Sequence, residues 1–90
     1  MKQPDVETAV RIYYSMVEIS NKEIKELFKV GDTCAVRMKR KVRDEMAKRG
    51  VKNYYPGMVK TSIAFEVWGL DIEDLERRLK AIRRLKLNDI

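Results

Sequence analysis

Between Gly31 and Gly50, Ala35, Met38, Val42 and Met46 recur at spacings of three, four and four, the repeat of one face of an α-helix. Glycine bounds the segment at both ends, and at Gly50 it supplies the left-handed residue that satisfies a helix's last carbonyls. Asp32 or Thr33 is placed to cap the other end. The remaining faces are crowded with cations: from Arg37 to Lys52 eight basic residues meet only Asp44 and Glu45, a local balance of +6. Such a segment folds as an amphipathic helix with an apolar seam and a basic back, and it needs other elements to cover the seam.

Short helices elsewhere in the chain supply that cover. Pro4 and Asp5 start a helix whose apolar positions Val6, Ala9, Val10, Ile12, Tyr13, Met16, Val17 and Ile19 predict helical structure from Asp5 to about Ile19. Ser20-Asn21-Lys22-Glu23 is a capping box, so a second, short helix runs from about Lys22 to Lys29 with Ile24, Leu27 and Phe28 inward, and Gly31 gives the following turn its freedom. Residues 50–60, with Val51, Tyr54, Tyr55, Pro56 and Gly57, read as a loop or a minimal β-hairpin. Thr61 caps a fourth helix through Ile63, Phe65, Val67 and Trp68, and Gly69 stops it. Asp71 caps a fifth, with Ile72, Leu75, Leu79 and Ile82 inward, ending near Leu85.

At 90 residues the chain makes one domain, residues 1–90, burying only about 60 to 65% of its unfolded surface. With no histidine and one cysteine it has no imidazole base, no Cys/His dyad and no ordinary zinc site, and its four glycines form no phosphate-binding fingerprint. A binding module is expected rather than an enzyme, with no cofactor and no metal. A lone Cys34, no apolar leader and no run of ~20 apolar residues point to a cytoplasmic protein outside the membrane. Cys34 reads as a small semi-buried residue.

Net charge is +6, but it is segregated: a second block from Arg77 to Lys86 holds six basic residues and no acid, while the rest of the chain sums to −6. Segregation of this kind orients a protein in the field of a polyanion, whereas a surface built for solubility alone interleaves the signs. Asp71, Glu73, Asp74 and Glu76 sit in a first helical turn, where acids complement the helix dipole, rather than forming a metal site.

The short helix, tight turn and long basic helix from Ser20 to Gly50 resemble the helix-turn-helix of bacterial and phage DNA-binding proteins. In that motif apolar residues at fixed offsets seal the crossing of two helices so that the second enters a major groove. Ile24, Phe28, Val30, Ala35 and Met38 occupy those offsets. Lys25 stands where the family prefers a small residue and Lys29 where it prefers glycine. The stretch from Val59 to Gly69, after a Tyr-Pro-Gly turn, is similar to the wing-and-helix continuation of small excisionase-like and regulator-like proteins of mobile elements. The resemblance implies an all-α domain of four or five short helices around a helix-turn-helix, with a recognition helix over residues 33–49.

It also implies sequence-specific binding of double-stranded DNA, in transcriptional regulation or in excision or replication of a phage or mobile element. Helix geometry then assigns base readout to Thr33, Val36, Arg37 and Arg40, and phosphate contact to Lys39, Lys41 and Arg43. Lys22, Lys25 and Lys29 on the preceding helix reach the backbone, and Lys52 beside Tyr54 and Tyr55 forms a further aromatic and basic contact. One motif spans about half a turn of DNA, so specificity calls for two copies about 34 Å apart and hence a homodimer or cooperative assembly. The last helix offers a phosphate clamp or, through Leu79, Ile82, Leu85 and Leu87, a dimer seam. The alternative class is a helical adaptor docking an acidic protein partner.

Overall fold

A computed structural model describes residues 3–88, with side chains over residues 3–86. Five helices and two short strands follow in the order α1 (Val6–Ser15), β1 (Glu18–Ile19), α2 (Asn21–Phe28), α3 (Asp32–Arg49), β2 (Val59–Lys60), α4 (Thr61–Val67) and α5 (Ile72–Asn88). The class is all-α with a minimal two-stranded antiparallel sheet. Among the described residues no helix is long and apolar enough to cross a membrane.

The apolar periodicities converge on one core. Ala35, Met38, Val42 and Met46 of α3 are buried together with Ile24, Leu27 and Phe28 of α2 and with Ala9 and Ile12 of α1. From the second half of the chain α4 adds Ile63, Ala64 and Phe65, followed by Trp68. The Trp68 ring meets Phe28 edge-on at 5.2 Å and Tyr13 lies 5.1 Å from Phe65, packings that favour aromatic quadrupoles as well as burial. Val30 packs at the margin of this cluster. The five apolar offsets at the crossing of α2 and α3 therefore all face inward.

Capping chemistry sets most boundaries. The Asp5 carboxylate accepts from the Thr8 amide at 3.2 Å, and the Glu23 carboxylate accepts from the Ser20 amide at 2.7 Å and hydroxyl at 2.8 Å. Gly50 is left-handed at φ 68°, with Val51 donating back to the Met46 carbonyl at 2.9 Å. The Asp71 carboxylate accepts from the Glu73 amide at 3.0 Å, so α5 is capped as expected.

Several sequence expectations need correction. α1 stops at Ser15, and Val17 is exposed while Glu18 and Ile19 leave the helix to pair with Lys60 and Val59. The reason is long-range: the extended segment buries Ile19 and Val59 together, a gain that local periodicity does not register. The residue capping α3 is Gly31 rather than Asp32 or Thr33, and that capping α4 is Lys60 rather than Thr61, whose amide instead donates to the Val17 carbonyl at 2.9 Å. α5 continues to Asn88, three residues past Leu85. Cys34 is exposed, because the helical repeat that buries Ala35 turns its neighbour outward. Leu79 is buried within the chain, which removes it from a dimer seam, and the Leu87 side chain lies outside the described residues.

Gly31 is not the residue that bends the chain. It is extended at φ −83°, whereas Lys29 is left-handed at φ 55° and closes α2. The turn between α2 and α3 thus takes its left-handed residue at a lysine.

Candidate nucleic-acid interface

α3 is pinned along its apolar seam by α2, α4 and β2, which leaves its remaining faces to solvent. Because the seam runs through positions 35, 38, 42 and 46, the first two turns present Thr33, Val36, Arg37 and Arg40 outward. These four, with Asp32, line one shallow depression on the helix surface. All four base-readout candidates therefore share a face, with two guanidinium groups beside an aliphatic and a hydroxyl side chain. That combination matches guanine acceptors and a thymine methyl in chemical type.

The cations sort into committed and uncommitted groups. Arg37, Arg40, Lys41, Arg43, Lys48 and Lys52 are exposed and form no ion pair among the described residues. Arg49, in contrast, is held by Glu45 at 2.9 Å and Glu66 at 2.7 Å, and these carboxylates raise its pKa further. Lys25 reaches across the turn to Asp32 at 2.6 Å and ties α2 to the start of α3. Lys22 is exposed at the start of α2, and Lys29 is exposed at its end.

Lys39 joins α3 to the loop that follows it. It is half-buried, its ammonium donates to the Gly57 carbonyl at 2.9 Å, and burial followed by the nearby Arg43 charge lowers its pKa. This bond ties the loop of residues 51–58 to α3.

The loop has a second anchor, which is Glu18. The residue is only 4% exposed, and its carboxylate accepts from the Tyr54 amide at 2.5 Å and the Tyr55 amide at 2.9 Å. The Lys60 ammonium lies 3.2 Å from the same carboxylate and 3.3 Å from the centre of the Tyr54 ring. Burial pushes the Glu18 carboxyl up, but the two amides and Lys60 outweigh it and hold the pKa below the ordinary value. Pro56 and left-handed Gly57 then close a turn in which the Met58 amide donates to the Tyr55 carbonyl at 3.3 Å.

The result is a preorganised loop. Its backbone is fixed from below by Glu18 and from the side by Lys39, while the Tyr54 and Tyr55 rings remain exposed, Tyr54 at 76%. Lys52 stands exposed at its base. Sequence reasoning brought out Tyr54, Tyr55 and Lys52 but missed Glu18, which it assigned to α1. The one available signal was the β-branched pair Val17 and Ile19 flanking a carboxylate just before a helix cap.

Of the acids of α5, Asp74 pairs with Arg77 and Arg78 on the same helix, and Glu76 accepts from the Tyr14 hydroxyl of α1. Among the described residues no cluster of histidine, cysteine, aspartate or glutamate is arranged to hold a metal ion. Comparison with protein-family models, with curated proteins and with solved structures finds no match to the chain.

Proposed function

We propose that this protein is a sequence-specific double-stranded DNA-binding module acting through its α2–α3 helix-turn-helix. In this reading α3 enters the major groove with Thr33, Val36, Arg37 and Arg40 on base edges, and Lys41 and Arg43 on phosphate. The anchored loop contacts the adjacent backbone through Lys52 and Tyr54. Lys22 and Lys25 add backbone contacts from α2, Lys25 by exchanging Asp32 for phosphate. The role belongs in transcriptional regulation, or in excision or replication of a phage or mobile element, in the cytoplasm, with two copies on a two-part site. Binding rather than catalysis is the whole of the activity.

The observation that carries the reading is the shared exposed face of the four residues at the start of α3, surrounded by cations that the protein leaves without counter-charges. A solvated helix face of ordinary kind interleaves acids with such cations, and here the exposed acids of α3 are Asp32, which is bonded to Lys25, and Asp44.

Fluorescence anisotropy against duplex DNA, single-stranded DNA and structured RNA of matched length, at two salt concentrations, tests it. Preference for duplex with a steep fall in affinity on adding salt supports the reading and justifies selecting a site from a random pool. Absence of binding to all three at low salt sinks it.

A further inference from the structure

The geometry points to the exposed end of α5, residues 80–86, as a docking surface for an acidic amphipathic helix of a partner protein. This surface lies outside the DNA-binding reading and does not depend on it. α5 packs on α1, and the last buried side chain along it among the described residues is Leu79. The buried stripe Leu75 and Leu79 continues into Ile82 and Leu85, which are 39% and 64% exposed, and every residue from Lys80 to Lys86 faces solvent.

Charge decides what fits there. Arg77 and Arg78 share the single carboxylate of Asp74, and Lys80, Arg83, Arg84 and Lys86 have no ion pair among the described residues. Arg83 and Lys86 stand one turn beyond Leu79 and Ile82, so cations border the apolar seam directly. A second copy of the tail would set these cations against their own kind, because the acids of α5, Glu73, Asp74 and Glu76, lie in its first two turns and none lies in residues 80–86. Nucleic-acid phosphate would neutralise the cations and leave Ile82 and Leu85 wet. A partner helix with leucine-type residues along one seam and glutamate or aspartate beside it satisfies both features at once. Since α3 packs on α2, α4 and β2 while α5 packs on α1, such a partner leaves α3 accessible.

The test uses the full chain and a fluorescein-labelled synthetic helix of about three heptads, with leucine at the seam and glutamate at the flanks. The control is the same peptide with lysine in place of glutamate. Anisotropy should rise with the acidic peptide and not with the basic one. The paired substitutions Ile82→Ser with Leu85→Ser, and Arg83→Glu with Arg84→Glu, should each weaken binding by about tenfold or more while thermal melting shows the fold intact. Equal binding of the two peptides, or indifference to either pair of substitutions, overturns the proposal. So does a dimer in sedimentation that Ile82→Ser with Leu85→Ser dissolves, which assigns the surface to a second copy. Loss of duplex affinity in Arg83→Glu with Arg84→Glu, without peptide binding by the unaltered chain, overturns it in favour of nucleic acid.

Discussion

Replacing Glu18 with alanine removes the acceptor of two loop amides and the partner of Lys60 in one step. Hydrogen bonds to a charged group contribute about 1.5–3 kcal/mol each, so the two amides together set an upper bound of about 3–6 kcal/mol. The loss is smaller than that bound, because the variant no longer desolvates a carboxylate and the loop can open so that its amides meet water. A net destabilisation of about 2 kcal/mol follows, which in a domain of this size lowers Tm by about 8–16 °C.

Two measurements separate this account from simple loss of packing. Hydrogen exchange should accelerate most at the Tyr54 and Tyr55 amides, and circular dichroism should record the drop in Tm. Glu18→Gln keeps the size of the side chain and isolates its charge. Because folding lowers the Glu18 pKa below the ordinary value of 4.5, its stabilisation is complete above that value and is lost as pH falls through the lower folded one. The unaltered protein should therefore lose more stability than Glu18→Gln on acidification from pH 5 into that window. Unchanged Tm in Glu18→Ala, with exchange at Tyr54 and Tyr55 unaltered, refutes the anchor.

Lys29→Gly should raise stability by about 0.5–1 kcal/mol in urea unfolding, since a left-handed lysine at φ 55° carries a strain that glycine lacks, offset by the larger unfolded-state entropy of glycine. Gly31→Ser should be neutral or stabilising by a few tenths of a kcal/mol on the same assay, because the residue is extended, caps α3 and has nothing within 4 Å of an added Cβ. On the DNA-binding reading, Arg37→Ala and Arg40→Ala should each lose about 1–3 kcal/mol against a selected duplex with Tm unchanged, whereas Lys41→Ala should weaken all duplexes alike and reduce the salt slope by about 1, as read by anisotropy. Added salt should raise Tm in a calorimetric scan, because it screens the repulsion among unpaired cations, and on the DNA-binding reading it should weaken duplex affinity at the same time.

Local signals carried most of the fold. The stripe Ala35, Met38, Val42 and Met46 is inward along its whole length, and Gly50 and Gly69 end their helices in the left-handed conformation. What the sequence hid depends on partners far along the chain. Glu18 meets Tyr54 and Tyr55 across 36 and 37 positions, and nothing in the periodicity around Glu18 records them. The turn at Lys29 was hidden for another reason: glycine at Gly31 is the stronger turn signal, yet the backbone places its left-handed residue two positions earlier. Within the candidate site the exposed face of α3 followed from helical spacing alone, while the bond from Lys39 to the Gly57 carbonyl, 18 positions away, did not.

Glu18 and Lys39 have a common consequence for the loop they hold. A loop that orders only on binding expends part of its contact energy on lost chain entropy, about 1–2 kcal/mol for each backbone residue fixed. Here the Tyr54 and Tyr55 amides, the Gly57 carbonyl and the turn at Pro56 are already bonded. The rings and Lys52 therefore meet a ligand from a fixed platform, and α3 supplies one side of it through Lys39. The distance between the loop and the readout face of α3 is consequently a property of the folded protein rather than of the complex. On the DNA-binding reading, loop and helix must fit the same duplex together, so specificity resides in their relative placement as well as in the identity of Arg37 and Arg40.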